Sequence, residues 1–285
     1  MNASGLMMNF NTTEALEMAY GTLDSVERTA WNPLGLEMHV WIAFVVLKAI
    51  GVTVLDPIVL GFCKLFRVSK LPSREPEPIA KGLEELVFKD YLFLFINQIM
   101  EGIGMMYFGA FALFEDESLV SRDLTKVTLG NTLGFTYIVF LLDDFMYYFA
   151  HRFMHHPSVY ALCHKHHHRQ SMPTRGYFDA ANEHPLEQFI GLALVIVSFQ
   201  MAARLPTGAH AVGVAIFIMI YAVMAFLNHT EYDVQFGPLG LGYSVRAHEM
   251  HHRFPQCNYA QNTMIWDQIL GTFKVYRDGH RTKDA

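Results

Sequence analysis

Several features are scarce in this 285-residue chain, and each scarcity narrows its possible functions. Cysteine occurs three times, as Cys63, Cys163 and Cys257, with no CxxC pair and no even-numbered set. A disulfide framework is therefore excluded, and three reduced packing residues are expected. Basic charge is short as well: the formal net charge is −6 and no basic stretch is concentrated enough to grip nucleic-acid phosphates. GxGxxG and CxxCH are both absent, so neither a dinucleotide fingerprint nor a haem attachment site is visible. The first thirty residues place no basic region ahead of an apolar run, so no cleavable signal peptide is expected and insertion into a membrane would rest on internal segments.

What the chain has in excess is apolar residues and histidine. Hydrophobic residues make up 52% of it and the mean hydropathy is positive, which is rich for a soluble protein. Residues 39–62, 91–114 and 131–150 are each long enough to cross, as helices, a hydrocarbon core of roughly 30 Å. Two further runs, 186–203 and 211–227, flank RLPTG, whose Pro206 and Gly208 mark a turn between antiparallel helices. These two runs read as a hairpin that dips into the membrane and returns. The competing reading is a soluble all-helical protein, but apolar runs of this length are rare in soluble cores.

Charge sets the expected orientation. The loop 63–89 holds Lys64, Arg67, Lys70, Arg74, Lys81 and Lys89, whereas 115–130 offers Arg122 and Lys126 beside Glu115, Asp116 and Glu117. The first loop is thus expected in the cytosol and the N-terminus in the lumen, where Asn2 and Asn11 head glycosylation triplets. The third helix then leaves the membrane on the cytosolic side at His151. The hairpin starts and ends on that side, with His184 and His229 at its two mouths. The expected fold is all-α: a multi-pass transmembrane bundle under a cytosolic histidine-rich cap with a dinuclear metal site. It divides into an N-terminal segment, 1–130, with two spans, and a catalytic region, 131–285.

Fourteen of the fifteen histidines lie between His151 and His280, and only His39 precedes them. They form HRFMHH at 151–156, HKHHH at 164–168 and HEMHH at 248–252. Residues three and four apart share a helix face, so His151 with His155, His164 with His167 and His168, and His248 with His251 and His252 are each expected to aim imidazoles at one point. Neutral imidazole binds Zn, Cu, Fe or Ni through one nitrogen and leaves the other for a second partner. Eight such residues exceed what one four-coordinate zinc needs and suit two ions with open positions. A zinc-binding scaffold or transporter without redox turnover is the alternative of another class. His155 and His156 compete for one role, which the spacing gives to His155; His166 falls off the shared face and reads as an outer or surface residue. His39, His210 and His280 read as bystanders.

HRFMHH, HKHHH, NEHPLE, NHTEYD, HEMHH and the closing NYAQNTMIWDQILGT resemble the fatty acid hydroxylase superfamily of membrane di-iron enzymes. Within it they are similar to the branch with sterol 4-methyl oxidases, sterol desaturases, cholesterol 25-hydroxylase and sphingoid-base hydroxylases. The likeness runs in order over about 137–276; the first 130 residues share only apolar spans. It implies two irons held by His151, His155, His164, His167, His168, His248, His251 and His252. His229 corresponds to the family's lone histidine, and His184 to the histidine of AHPLE, which holds a metal or orients its neighbours. Here NE precedes HPLE where several members have YA or YN.

The resemblance also implies O₂ as cosubstrate, and electrons from NAD(P)H through an external reductase and a b-type cytochrome. The substrate would be a lipid entering from the bilayer. HPLE and HTEYDV favour a sterol, and NEHPLEQF suits a sphingoid base. Hydroxylation, methyl oxidation and desaturation share their first step and are not separated. Residence in the endoplasmic reticulum is implied for a eukaryotic source, and Arg281 and Lys283 occupy positions used by dibasic retrieval signals.

Among the acidic and aromatic neighbours, Asp144, seven residues before His151, either accepts a hydrogen bond from a ligand or ends its helix. Glu187, one turn after His184, and Glu249, beside His248 but off the ligand face, are similar candidates. Trp266 and Asp267 read as packing and capping residues, and Tyr147–Tyr148 as an interfacial aromatic belt.

Overall fold

A computed structural model describes residues 28–71, 85–237 and 242–274. Asn2, Asn11, Arg74, Lys81, His280, Arg281 and Lys283 lie outside the described residues. The apolar runs form long helices: α1 (Met38–Leu65), α2 (Phe88–Phe114) and α3 (Phe135–Met154), the last continuing a π-helical turn at Gly130–Gly134. The short α4 (Pro157–Cys163) and α5 (Tyr177–Ala180) precede α6 (Pro185–Ala203) and α7 (Ala211–Leu227). Helices α8 (Val245–Arg253) and α9 (Ile265–Ile269) complete the cap. α1, α2, α6 and α3 with its π turn are long and apolar enough to cross a membrane, and α7 is a shorter apolar helix. The chain is an all-α, multi-pass bundle, and the only strands among the described residues are two-residue pairs.

Connections at the two ends sort the chain. At one end, Tyr107 of α2 donates from its hydroxyl to the Ala30 carbonyl, 3.1 Å away, just before α1. At that same end β1 (Val120–Ser121) pairs in parallel with β2 (Ala209–His210), which lies in the turn between α6 and α7. The hairpin therefore runs the full height of the bundle rather than dipping into it, because its tip meets the α2–α3 loop. At the other end, Leu71 N–H donates to the Glu231 carbonyl and Asp233 N–H to that of Ser69. The lysine-rich loop after α1 thus lies beside the segment that follows His229. A hairpin of β3 (Gln235–Phe236) and β4 (Tyr243–Ser244) leads from there into α8.

Inside the bundle, α3, α6 and α7 pack through a cluster of rings. Phe199 lies 5.5 Å from Phe135, 5.0 Å from Phe217 and 5.1 Å from Phe108, centroid to centroid. Between lipid-facing helices such fit replaces the aqueous hydrophobic effect as the source of cohesion. α1 is attached differently. Its Ile42, Leu47, Ile50, Val54 and Phe62 point outward and are exposed, as suits contact with lipid tails. Its Lys48 pairs with Glu101 of α2 and donates to Gln98 Oε1 at 2.8 Å, while Tyr177 donates to Glu101 Oε2 at 2.8 Å. Charges at membrane depth are costly unless paired, so this group fixes where α1 sits.

α7 approaches the π-helical turn through Gly213, where a Cβ would stand 2.8 Å from the Asn131 carbonyl oxygen and 3.0 Å from Thr132 Cα. Backbone cannot retreat as a side chain can, so Gly213→Ala is expected to destabilise by about 1–3 kcal/mol through overpacking. Gly191, with nothing within 4 Å of its built Cβ, is the control. Melting in detergent should fall for Gly213→Ala and not for Gly191→Ala; equal melting of the two would contradict this packing.

Candidate metal centre

The cap gathers nine histidines into two adjoining groups. In each, one ligand atom per residue lies within 4.8 Å of all the others: His151, His155, His164, His168 and His251 in the first, and His167, His229, His248 and His252 in the second. His151 is on the last turn of α3, His155 just past it and His164 at the end of α4. His167 and His168 lie on a 3₁₀ turn, His229 follows α7, and α8 carries the remaining three.

The motifs are divided differently from the expectation that each aims at one point. α4 ends at Cys163, so the second motif is not one helix face, and His164 and His168 join the first group while His167 joins the second. On α8, His248 and His252 share a face by their spacing of four and serve the second group, leaving His251 for the first. Adjacent residues, 167 with 168 and 251 with 252, thus feed opposite groups. This is what holds the groups side by side: the His168 and His252 rings are 4.9 Å apart.

Tautomers follow from the second nitrogens. Nδ1 of His151 lies 2.7 Å from the Tyr259 carbonyl, and Nδ1 of His251 lies 2.7 Å from that of Cys257. His229 makes the same contact with Ala225 at 2.9 Å. A carbonyl oxygen only accepts, so each Nδ1 carries the proton and each Nε2 presents a bare lone pair. His164 Nδ1 is bound in turn by Glu187 Oε1 at 2.6 Å. The Nε2 atoms of both groups crowd together. His164 Nε2 stands 2.9 Å from Nε2 of His151, of His155 and of His168, and His251 Nε2 stands 3.2 Å from Nε2 of His155 and of His168. In the second group His248 Nε2 is 3.3 Å from that of His229 and 3.1 Å from that of His252.

Facing lone pairs repel unless a cation lies between them. Nitrogens at right angles around a metal roughly 2.1 Å away stand about 3.0 Å apart, and tetrahedral ones about 3.4 Å. In the first group the three 2.9 Å spacings around His164 match the right-angled case, and the two of 3.2 Å at His251 fall between the two cases. Five donors so arranged fit a metal of higher coordination than structural zinc, with a position left for a small ligand.

Desolvation keeps these imidazoles unprotonated. Burial is the main cause for His155, which is held down to about 3 with help from its neighbour His251, and for His251, held down to about 4. His164, His167, His168, His248 and His252 are held well below the ordinary value in the same direction, first by burial and then by the charge of neighbouring histidines. Neutral imidazole is the metal-binding form, so the site is set for ligation at physiological pH.

Two of the carbonyls that fix these tautomers, those of Cys257 and Tyr259, belong to a loop, 257–263, pinned by two buried carboxylates. Asp267 accepts from the Tyr259 and Ala260 N–H groups at 2.8 Å each and from Thr272 Oγ1 at 2.7 Å. Asp144 accepts from Asn262 N–H at 2.9 Å and from Gln261 and Thr263 N–H. Asn258, between the two accepting carbonyls, adopts a left-handed φ of 54° that asparagine tolerates better than most residues. Asp144 therefore holds the loop, not a histidine, whereas Glu187 does contact one. Asp267 does more than cap. The carbonyls of Tyr259, Cys257 and Ala225 had no signal in the sequence, since any residue type supplies one.

Other candidates fall elsewhere. His184 belongs to neither group: its Nδ1 accepts from Leu186 N–H at 3.1 Å as the N-cap of α6, and its ring meets Phe93 edge-on at 5.2 Å. His156 caps α4 in the same way. His166 binds Asn182 Oδ1 and Asp90 Oδ1 at 2.9 Å each, and His210 caps α7. His39 lies on α1, exposed beside Glu37. Glu249 pairs with Arg253 at 2.7 Å. Tyr147 packs 5.1 Å from the His151 ring, and the fully buried Tyr148 binds Arg152 and Thr272. The tyrosine pair supports the site and is not an interfacial belt, because its helix face turns inward.

Two predictions follow from this geometry. In purified protein, His251→Ala is expected to lower the metal content of the first group and Asp267→Ala to weaken retention about 10–100-fold, whereas His184→Ala keeps the parent stoichiometry. Elemental analysis after graded chelation tests this, and loss of metal in His184→Ala equal to that in His251→Ala would refute the grouping. The second concerns acid. The imidazoles outside the spans titrate lower in the folded chain than the value of about 6.5 in the unfolded one, so the unfolded chain takes up protons first. Stability of the metal-free protein should be level above about pH 7 and fall progressively below about pH 6.5. A melting temperature unchanged down to about pH 5 would contradict the assigned neutral state.

Comparison with known proteins agrees with this site. A family model described as fatty acid hydroxylase matches residues 136–272, from α3 to just beyond α9. An alternative squalene epoxidase of Phaeodactylum tricornutum is 28% identical over 88% of this chain and 69% of its own. A sphingolipid C4-hydroxylase of Schizosaccharomyces pombe is 25% identical over 86% of this chain and 90% of its own. A Delta(7)-sterol 5(6)-desaturase of Leptosphaeria maculans is 31% identical over 55% of this chain, which spans 42% of that relative's length. No solved structure matches. Residues 136–272, which hold both histidine groups, thus form a fatty acid hydroxylase domain, and the chain's relatives include a sterol desaturase and a sphingolipid hydroxylase.

Proposed function

We propose that the chain is a membrane-bound, O₂-dependent lipid oxidase whose two histidine groups each hold an iron ion. The observation that carries this reading is the crowding of unprotonated Nε2 atoms into two adjoining groups at one end of a membrane bundle. His151, His155, His164, His168 and His251 would hold one iron, and His167, His229, His248 and His252 the other. Bound iron would supply the reactivity toward O₂ needed to oxidise an unactivated C–H bond. The chain itself orients the imidazoles through Glu187 and the 257–263 loop, keeps water out by burial, and offers the bilayer as the route of entry. Electrons would come from NAD(P)H through an external reductase and a b-type cytochrome, in keeping with the absence of a flavin or haem motif.

A sterol-class lipid is the favoured substrate, supported by HPLE and HTEYDV and by the named chemistry of the squalene epoxidase and sterol desaturase relatives. A sphingoid base is the second reading, favoured by the length of the match to the sphingolipid C4-hydroxylase. Placement in the endoplasmic reticulum with the histidine cap cytosolic fits the positively charged loop that meets the cap at Glu231. A zinc scaffold without turnover is disfavoured by five converging donors in the first group.

The test is expression in yeast strains that each lack one sterol or sphingolipid oxidase, with lipid profiling. Rescue of a sterol-oxidase strain is expected, and His168→Ala and His251→Ala should abolish it. Rescue by either variant at the parent level would refute the ligand assignment, and rescue of only a sphingolipid strain would move the substrate to the second reading.

A further inference from the structure

Away from the histidine groups, a pocket of about 220 Å³ opens on the outside of the cap. Its lining includes Lys89, Lys165, Arg169, His166, His184 and Leu162. Two features of its position matter. Lys89 is the second residue of the membrane-spanning α2, and His184 directly precedes the membrane-spanning α6. The pocket therefore sits where two spanning helices emerge, at the level of lipid headgroups. Exposed apolar side chains neighbour its residues on the chain: Leu162 of the lining is 67% exposed, Phe88 beside Lys89 81%, and Phe189, five residues after His184 on α6, 60%.

The polar groups lining the pocket are donors. Arg169 and His166 share the buried carboxylate of Asp90, at 2.7 and 2.9 Å, and are thereby fixed in place. His184 gives its Nδ1 to the Leu186 N–H, so in the neutral ring Nε2 carries the proton. Lys89 rests over the Phe93 ring, 5.0 Å from its centroid, and Lys165 is exposed. Among the described residues neither lysine is within ion-pairing distance of a carboxylate. Two uncompensated cations beside a fixed guanidinium, in a space that holds several waters, make a receptor for a compact dianion or monoanion.

We propose that this pocket binds the headgroup phosphate of an anionic membrane lipid, with Lys89 and Lys165 as its charge partners and the acyl chains lying along Phe88, Leu162 and Phe189. Free phosphate shares the headgroup's chemistry but gains nothing from that apolar rim. The position favours the lipid source, because basic pockets between spanning helices at the membrane surface suit acidic headgroups. The site is separate from the proposed oxidation: the lipid bound there is not the substrate, and its binding does not depend on the substrate's identity. The backbone gives it a link to the metal centre, since the lining residues Cys163 and His166 directly precede His164 and His167 in the chain.

The experiment uses the full chain, metal-loaded, in nanodiscs of phosphatidylcholine with or without phosphatidic acid, and counts retained lipid by native mass spectrometry. Preferential retention of phosphatidic acid is expected, and Lys89→Gln with Lys165→Gln should reduce that preference by at least about tenfold. The Lys89→Arg, Lys165→Arg pair should keep it, and unchanged metal content in both pairs shows that the cap is folded. Inorganic phosphate at millimolar concentration should not displace the lipid. No preference in the parent, undiminished preference in the glutamine pair, or displacement by inorganic phosphate would each overturn the proposal. So would a glutamine pair that retains lipid normally but raises KM for an acidic electron-donor protein, which would make this face a protein-docking surface.

Discussion

The structure depends on a repulsion between imidazole lone pairs that a cation relieves best. His151, His251 and His229 each spend their one ring proton on a backbone carbonyl, leaving Nε2 lone pairs facing other nitrogens about 3 Å away in a buried space. Protonation would relieve it only by placing charge where burial forbids charge. Cations of suitable coordination relieve it directly. The rest of the cap serves this arrangement: Asp267 and Asp144 clamp the loop that supplies two of the carbonyls, and Glu187 reaches from the first turn of α6 to fix His164.

The membrane bundle supplies the rigidity. α3 carries His151 on its last turn, α6 carries Glu187 on its first, and α7 ends two residues before His229. Their ring-on-ring packing around Phe199 thus sets the spacing of the cap above it. α1 contributes differently, through the Lys48–Glu101 pair and the strand-like contact of Ser69–Leu71 with 231–233. The lysine-rich loop that argued for orientation in the sequence is thereby tied to the histidine cap, so charge and ligands occupy one end of the bundle.

Most of the architecture was legible because spans announce themselves by length and apolarity, and the histidines by count. The division of ligands between the two groups was not legible, since spacing rules assume a continuous helix and α4 stops at Cys163 before the second motif begins. His184 misled for a related reason: the Pro185 that follows it starts a helix, and a histidine in that position satisfies the helix's own N–H. Asp144 and Tyr148 were judged from one helix alone, whereas their partners lie more than a hundred residues away, in 259–272. The backbone carbonyls that set the tautomers leave no trace in residue identity. The family resemblance was carried by residues 137–276, and it is in this stretch that sequence and geometry coincide.

The central claim is that two adjoining, histidine-only groups hold iron with higher than tetrahedral coordination. Iron K-edge X-ray absorption of the anaerobically purified chain tests it most directly. The account predicts about two irons per chain, each in a shell of five or six light atoms dominated by imidazole nitrogen near roughly 2.1 Å. A single four-coordinate zinc, or a shell containing sulfur, would contradict it.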